Sequence, residues 1–204
     1  MNKKFLTVGL AGALAVTAVV GGSLAYFTDT DDKTNTFTVG NVDITLTEPN
    51  WEGSGSLDAP EVYPGEALAK DPTVTNDGAN PCFVRIKVTG LDQFGEDNPI
   101  IYRTVDAYEA YSLGENWFLA DDGYFYYYDA DSDTHGVLAV GGKTDALFDQ
   151  IVMPTGLTGN EETEPVTVTA EAVQAQGALP SWDAVQNMTV DQIANWFDEC
   201  GMNE

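Results

Sequence analysis

Histidine is almost missing from this chain: His135 is the only one in 204 residues. A hydrolytic zinc site commonly takes two or three imidazoles, most often from an HExxH helix, so a single histidine argues against that chemistry. Cysteine is nearly as scarce, with Cys82 and Cys200 alone and no CxxC pair. That spacing excludes a zinc ribbon or a disulfide-dense scaffold, and leaves open either one long-range disulfide or two separate thiols. No GxSxG occurs and neither thiol has a histidine near it in sequence, so nucleophilic catalysis has no support. Positive charge is the third shortage: eight Lys and Arg stand against 33 Asp and Glu, a formal charge of −25. Such a chain repels nucleic acid and anionic membrane surfaces, and favours solubility, cations, and basic or uncharged partners.

What is present begins with a leader. Lys3 and Lys4 precede an apolar stretch over residues 5–20, and Ser23 and Ala25 put small side chains at the two positions a signal peptidase probes. Residues 1–25 therefore read as a signal peptide, with Tyr26 as the mature N-terminus. A retained membrane anchor is the alternative, weakened by Gly9 and Gly12 within the stretch and Gly21 and Gly22 just after it. Removing the leader takes two basic and no acidic residues, leaving six against 33 and a formal charge of −27 over 179 residues. That length suits one domain. Residues 26–35 are polar and aperiodic and read as a flexible segment.

Alternation starts immediately afterwards. In residues 36–47, Phe37 and Val39 fall on odd positions, whereas Val42, Ile44 and Leu46 fall on even ones. A one-residue shift sends side chains to the opposite sheet face, so Gly40 marks a bulge or bend. Residues 82–89 place Cys82, Val84, Ile86 and Val88 on one face with Arg85, Lys87 and Thr89 opposite; residues 165–173 bury Val166, Val168, Ala170 and Ala172. Both patterns predict half-buried antiparallel strands. Residues 123–129 form an aromatic strand and residues 147–153 a short apolar one. Turn signals at Asn76-Asp77-Gly78, Asp122-Gly123 and Gly141-Gly142 separate them. Together these elements predict an all-β protein, an antiparallel β-sandwich over residues 36–180. A short helix is expected within residues 104–117. Residues 181–204 form a C-terminal helical segment, with Thr189 as N-cap, Gln192 completing a capping box, and Ile193, Trp196 and Phe197 on one face. That helix is expected to cover one end of the sandwich.

Chemistry-bearing clusters are few. Asp129, Asp131 and Asp133 alternate like the start of a calcium-binding loop, but Thr134 stands where a sharp-turn glycine belongs and Val140 where a bidentate glutamate belongs. A weak calcium site and a plain acidic turn both remain open there, and no other cofactor is implied. His135, in the same turn, reads as a solvated loop residue. The aromatic run Tyr124 to Tyr128 reads as cross-strand packing ahead of a carbohydrate platform.

The leader boundary "AYFTDTDDKTNTFTVGNVDITLTEPNW", with "YPGEALAKDPTVTNDGANPCFVRIKV", "KTDALFDQIVMP" and "VTVTAEAVQAQG", resembles the TasA/camelysin (CalY) family of proteins secreted by Gram-positive bacteria through a SipW-type signal peptidase. The resemblance implies a jelly-roll-like sandwich, secretion to the cell surface or extracellular matrix, and self-association or association with related fibre subunits. TasA-type members imply a biofilm-matrix fibre built by donating an N-terminal strand to the next subunit; here that assembly strand would comprise Phe37, Val39, Gly40, Val42, Ile44 and Leu46. Camelysin-type members imply instead a cell-surface metalloprotease. A monomeric adhesive or accessory module is the third alternative. No catalytic residue of this chain can be named from the resemblance, and contact with a membrane is expected only through the uncleaved leader.

Overall fold

The computed structural model describes residues 42–55, 62–159, 161 and 163–202. The leader, the cleavage positions Ser23, Ala25 and Tyr26, and Phe37, Val39 and Gly40 of the assembly strand lie outside the described residues.

Nine strands follow in chain order: β1 (Ile44–Thr47), β2 (Ala67–Ala69), β3 (Thr73–Asn76), β4 (Cys82–Thr89), β5 (Ile101–Arg103), β6 (Trp117–Leu119), β7 (Phe125–Tyr127), β8 (Gln150–Val152) and β9 (Thr167–Gln174). Every ladder between them is antiparallel. They form a two-stranded sheet β1-β3, a three-stranded sheet β2-β8-β5 and a four-stranded sheet β6-β7-β4-β9. The fold is thus an all-β antiparallel sandwich with short C-terminal helices. Among the described residues no helix is long and apolar enough to cross a membrane.

The longest ladder joins the two clearest sequence alternations. β4 and β9 pair from Cys82↔Gln174 to Thr89↔Thr167, setting Val84 opposite Ala172 and Ile86 opposite Ala170. Large side chains thereby face small ones across the ladder, which lets the second layer approach closely. Gly90 ends β4 with φ of 84°, and a Cβ there would come within 2.5 Å of the Pro165 carbonyl oxygen just before β9 begins. Glycine is required at this approach. The inner face of the four-stranded sheet packs on Val42, Ile44 and Leu46 of the β1 region, Leu68 of β2 and Ile151 of β8 in one buried core. Tyr102 of β5 stacks on Phe148 at 5.4 Å and meets Phe125 edge-on at 5.6 Å, closing that core from the other side.

Three expectations change here. β4 is not half-buried: Cys82 through Ile86 are all buried, and Arg85, assigned to the solvent face, is fully enclosed. The cause is a third layer. The helices Trp182–Gln186 and Val190–Glu199 lie on the outer face of the four-stranded sheet, where Val185, Met188, Ile193 and Phe197 pack with Phe83, Tyr126 and Val173. The terminal helix therefore covers a sheet face and not an end of the sandwich. Its start follows the sequence: Thr189 Oγ1 accepts from Gln192 N at 3.3 Å, and Gln192 Oε1 accepts from Thr189 N at 2.9 Å. The last change is in residues 104–116, which are turns and not a helix. Thr104 N donates to Ser112 Oγ at 2.9 Å and Tyr111 has φ of 61°, a local closure that a helix cannot accommodate.

Candidate functional site

Residues 42–47, the described part of the segment expected to act as an assembly strand, are built into the core of this chain. Val42, Ile44 and Leu46 are buried while Asp43 and Thr47 are half-buried and Thr45 is exposed, so the even-numbered face points into the core. β1 is hydrogen-bonded to β3 in the register Ile44↔Asn76 to Thr47↔Thr73, and is an edge of that two-stranded sheet among the described strands. Fully burying three aliphatic side chains contributes roughly 1.5–3 kcal/mol each.

The far end of β1 is held by charge. Glu48 and Lys70 are both buried, and Lys70 Nζ donates to Glu48 Oε2 at 2.9 Å while lying 4.6 Å above the Trp51 ring. Asp71 Oδ1 accepts from Asn50 N at 2.8 Å and from Trp51 N at 3.4 Å, fixing the π-helical turn Trp51–Gly55. A Cβ at Gly55 would overlap the Ala69 carbonyl oxygen, so this turn closes on β2 only through glycine. The stretch reads in sequence as a plain Gly/Ser turn, and nothing in it signals that Lys70 will be enclosed.

The acidic turn does not gather its carboxylates. Asp129 Oδ1 accepts from Asp131 N at 3.0 Å and Ser132 N at 3.1 Å, which ties it to its own turn, while Asp131 and Asp133 are exposed. Among the described residues no three His, Cys, Asp or Glu side chains converge as metal ligands would. His135 is a correction: it is half-buried, its Nδ1 donates to the Gln186 carbonyl oxygen at 2.7 Å, and its ring stacks on Tyr128 at 5.4 Å. The neighbouring short helix, which sequence separates from it by about fifty residues, supplies that partner.

The two cysteines sit on opposite faces of the same sheet and are unpaired. Cys82 lies in the inner core, where burial pushes its thiol up to about 12. Cys200 ends the terminal helix on the outer face, its thiol also raised by burial and then by Glu199. A sheet stands between them, so the alternative of two separate thiols is the one found. The aromatic run packs as sequence suggests: Tyr127 meets Trp117 edge-on at 5.5 Å, and its phenol is pushed up to about 12 by burial, then by Asp145 and Asp129.

The densest polar cluster escapes sequence entirely. Arg85 Nε donates to Glu171 Oε2 at 2.7 Å, Nη1 to the Tyr126 hydroxyl at 3.2 Å and Nη2 to the Met202 carbonyl oxygen at 3.0 Å. Its guanidinium stands 3.8 Å from the Tyr124 ring centroid and 4.4 Å from that of Phe197. Tyr126 passes a further bond to Asp122 Oδ2 at 2.7 Å. Burial alone would lower the Arg85 pKa, but the bonds to Tyr126 and Glu171 outweigh it and hold the pKa above its ordinary value.

Compared with known proteins, residues 1–91 match the family described as camelysin metallo-endopeptidase, which is also the family of TasA. No curated protein and no solved structure matches the chain. The match runs from residue 1 through β4 and stops before the outer helical layer. The description implies a catalytic metal, and the donors among the described residues do not gather to hold one. The single imidazole donates through Nδ1 to the Gln186 carbonyl and keeps Nε2 for a ligand, but among the described residues no two further His, Cys, Asp or Glu donors join it.

Proposed function

We propose that the protein is a secreted structural subunit of the extracellular (biofilm) matrix, which assembles into or attaches to surface fibres by donating its N-terminal segment to a neighbouring subunit. The observation that carries this is the division of labour along residues 36–47. Val42, Ile44 and Leu46 are committed to the home core, and the Lys70–Glu48 pair pins the end of β1. Phe37 and Val39 lie in the opposite phase, so a straight continuation of β1 would turn them away from that core. In this reading they are the side chains offered to another subunit.

The leader supplies the control. Cleavage after Ala25 frees Tyr26, and residues 28–35 then act as a tether whose eight residues span up to about 26 Å when extended. Backbone hydrogen bonds to a sheet edge supply affinity, and the pockets for Phe37 and Val39 supply register. A head-to-tail contact of this kind does not close on itself, so it grows into a filament.

Purified mature protein tests the proposal. N-terminal sequencing is expected to begin at Tyr26, and negative-stain microscopy is expected to show filaments. Chelator-sensitive casein hydrolysis without filaments would replace this reading with the protease that the family's description names.

A further inference from the structure

We propose that residues 181–202 form a detachable strap that masks an apolar face of the four-stranded sheet, and that Arg85 is its latch. This device is separate from the N-terminal assembly reading and rests on different residues.

The sheet has two independent cores. The inner one takes Cys82, Val84 and Ile86 from β4, and contains no residue beyond Ala172. The outer one takes Phe83 from β4, Tyr126 from β7 and Val173 from β9, and is completed by Val185, Met188, Ile193 and Phe197 of the strap. Strand alternation assigns each residue of β4 to one core or the other, so the strap can leave without removing a side chain from the inner core.

The strap is also self-contained. Its terminal helix closes its own N-terminus through Thr189 and Gln192, and its short helix is capped by Ser181 Oγ, which accepts from Ala184 N at 3.2 Å. It contributes no strand to any ladder. Besides apolar packing, bonds that end on backbone carbonyls tie it to the sandwich: Trp196 Nε1 to Gln174 O at 2.9 Å, His135 Nδ1 to Gln186 O at 2.7 Å, and Arg85 Nη2 to Met202 O at 3.0 Å.

Of these, Arg85 does the most. It holds the Met202 carbonyl at the end of the strap, and Phe197 covers its guanidinium from the strap side. Glu171, Tyr126 and Tyr124 hold it from the sheet side. When the strap lifts, these sheet-side contacts remain, while Phe83, Tyr126 and Val173 become exposed.

Hydrogen exchange of the intact protein tests this. Residues 190–200 are expected to exchange through a partial opening, well before the amides of β4 and β9. Arg85→Lys keeps the charge but loses the planar fork. It is expected to speed exchange in residues 190–200 on the order of tenfold, a loss of about 1.4 kcal/mol, and to speed β9 by less, where Glu171 loses one side-chain bond but the ladder to β4 stays whole. Phe197→Ala alters only the strap and is expected to do the same, with increased binding of an apolar dye. The proposal is overturned if strap and β4–β9 amides exchange together in the wild type, or if both variants leave the strap's exchange unchanged.

Discussion

Replacing Lys70 by methionine is expected to be among the most damaging single changes on the inner side of the sandwich. Lys70 and Glu48 are enclosed together, with 1% and 9% of their side-chain surfaces exposed. Methionine fills most of the lysine's volume, so the loss isolates the charge and not the packing. Removing one member of a buried ion pair costs about 3–5 kcal/mol, because the remaining carboxylate stays desolvated. The lost cation–π contact with Trp51 overlaps this figure and is not added to it. Against a typical domain stability of about 5–15 kcal/mol, the change is large. Urea unfolding followed by tryptophan emission reads it as a lower midpoint with an unchanged slope. The double replacement Lys70→Met with Glu48→Met is expected to recover most of the loss. A single variant that loses less than about 1 kcal/mol, or a double variant no better than the single, would refute the claim that this pair anchors β1.

Other expectations follow from separate parts of the molecule. Thr189→Ala removes the capping box and should destabilise the terminal helix by about 1 kcal/mol, seen as faster exchange in residues 190–199. A thiol reagent at pH 8 should leave Cys82 unmodified until denaturant is added, and a non-reducing gel should show no intramolecular disulfide. Cys82 and Tyr127 both have folded pKa values near 12, raised from ordinary values of 9.0 and 10.0. Their contribution to stability is complete below pH 9 and is lost as pH rises toward 12, so alkaline unfolding should steepen in that window. Divalent cations, or a fall in pH toward the pI of 4.1, should increase light scattering by the mature protein by relieving self-repulsion at a charge of −27. Scattering indifferent to both would mean that charge does not restrain association.

The parts legible in sequence are those where periodicity runs long enough to be unambiguous. β4 and β9 each extend over eight residues with clear alternation, and the terminal helix has both its caps and its apolar stripe in order. β2, β3, β5 and β6 have three or four residues each, too few for a period of two to stand out. Burial of charge was the other blind spot. Lys70 and Arg85 are enclosed by partners 22 and 86 residues away, Glu48 and Glu171. Local pattern assigns a lone cation to solvent, and only the tertiary pairing overrides that assignment. The same distance effect hid His135, whose partner lies 51 residues on. The shared face of Val42, Ile44 and Leu46 followed directly from their spacing, and all three are buried.

The most direct measurement compares the mature protein beginning at Tyr26 with a version lacking residues 26–39, by sedimentation velocity and negative-stain microscopy under one set of conditions. The donated-segment account predicts that the shortened chain keeps its cooperative unfolding, because Val42, Ile44 and Leu46 remain in place, yet sediments as a monomer and forms no filaments. Filaments of normal length from the shortened chain would contradict it.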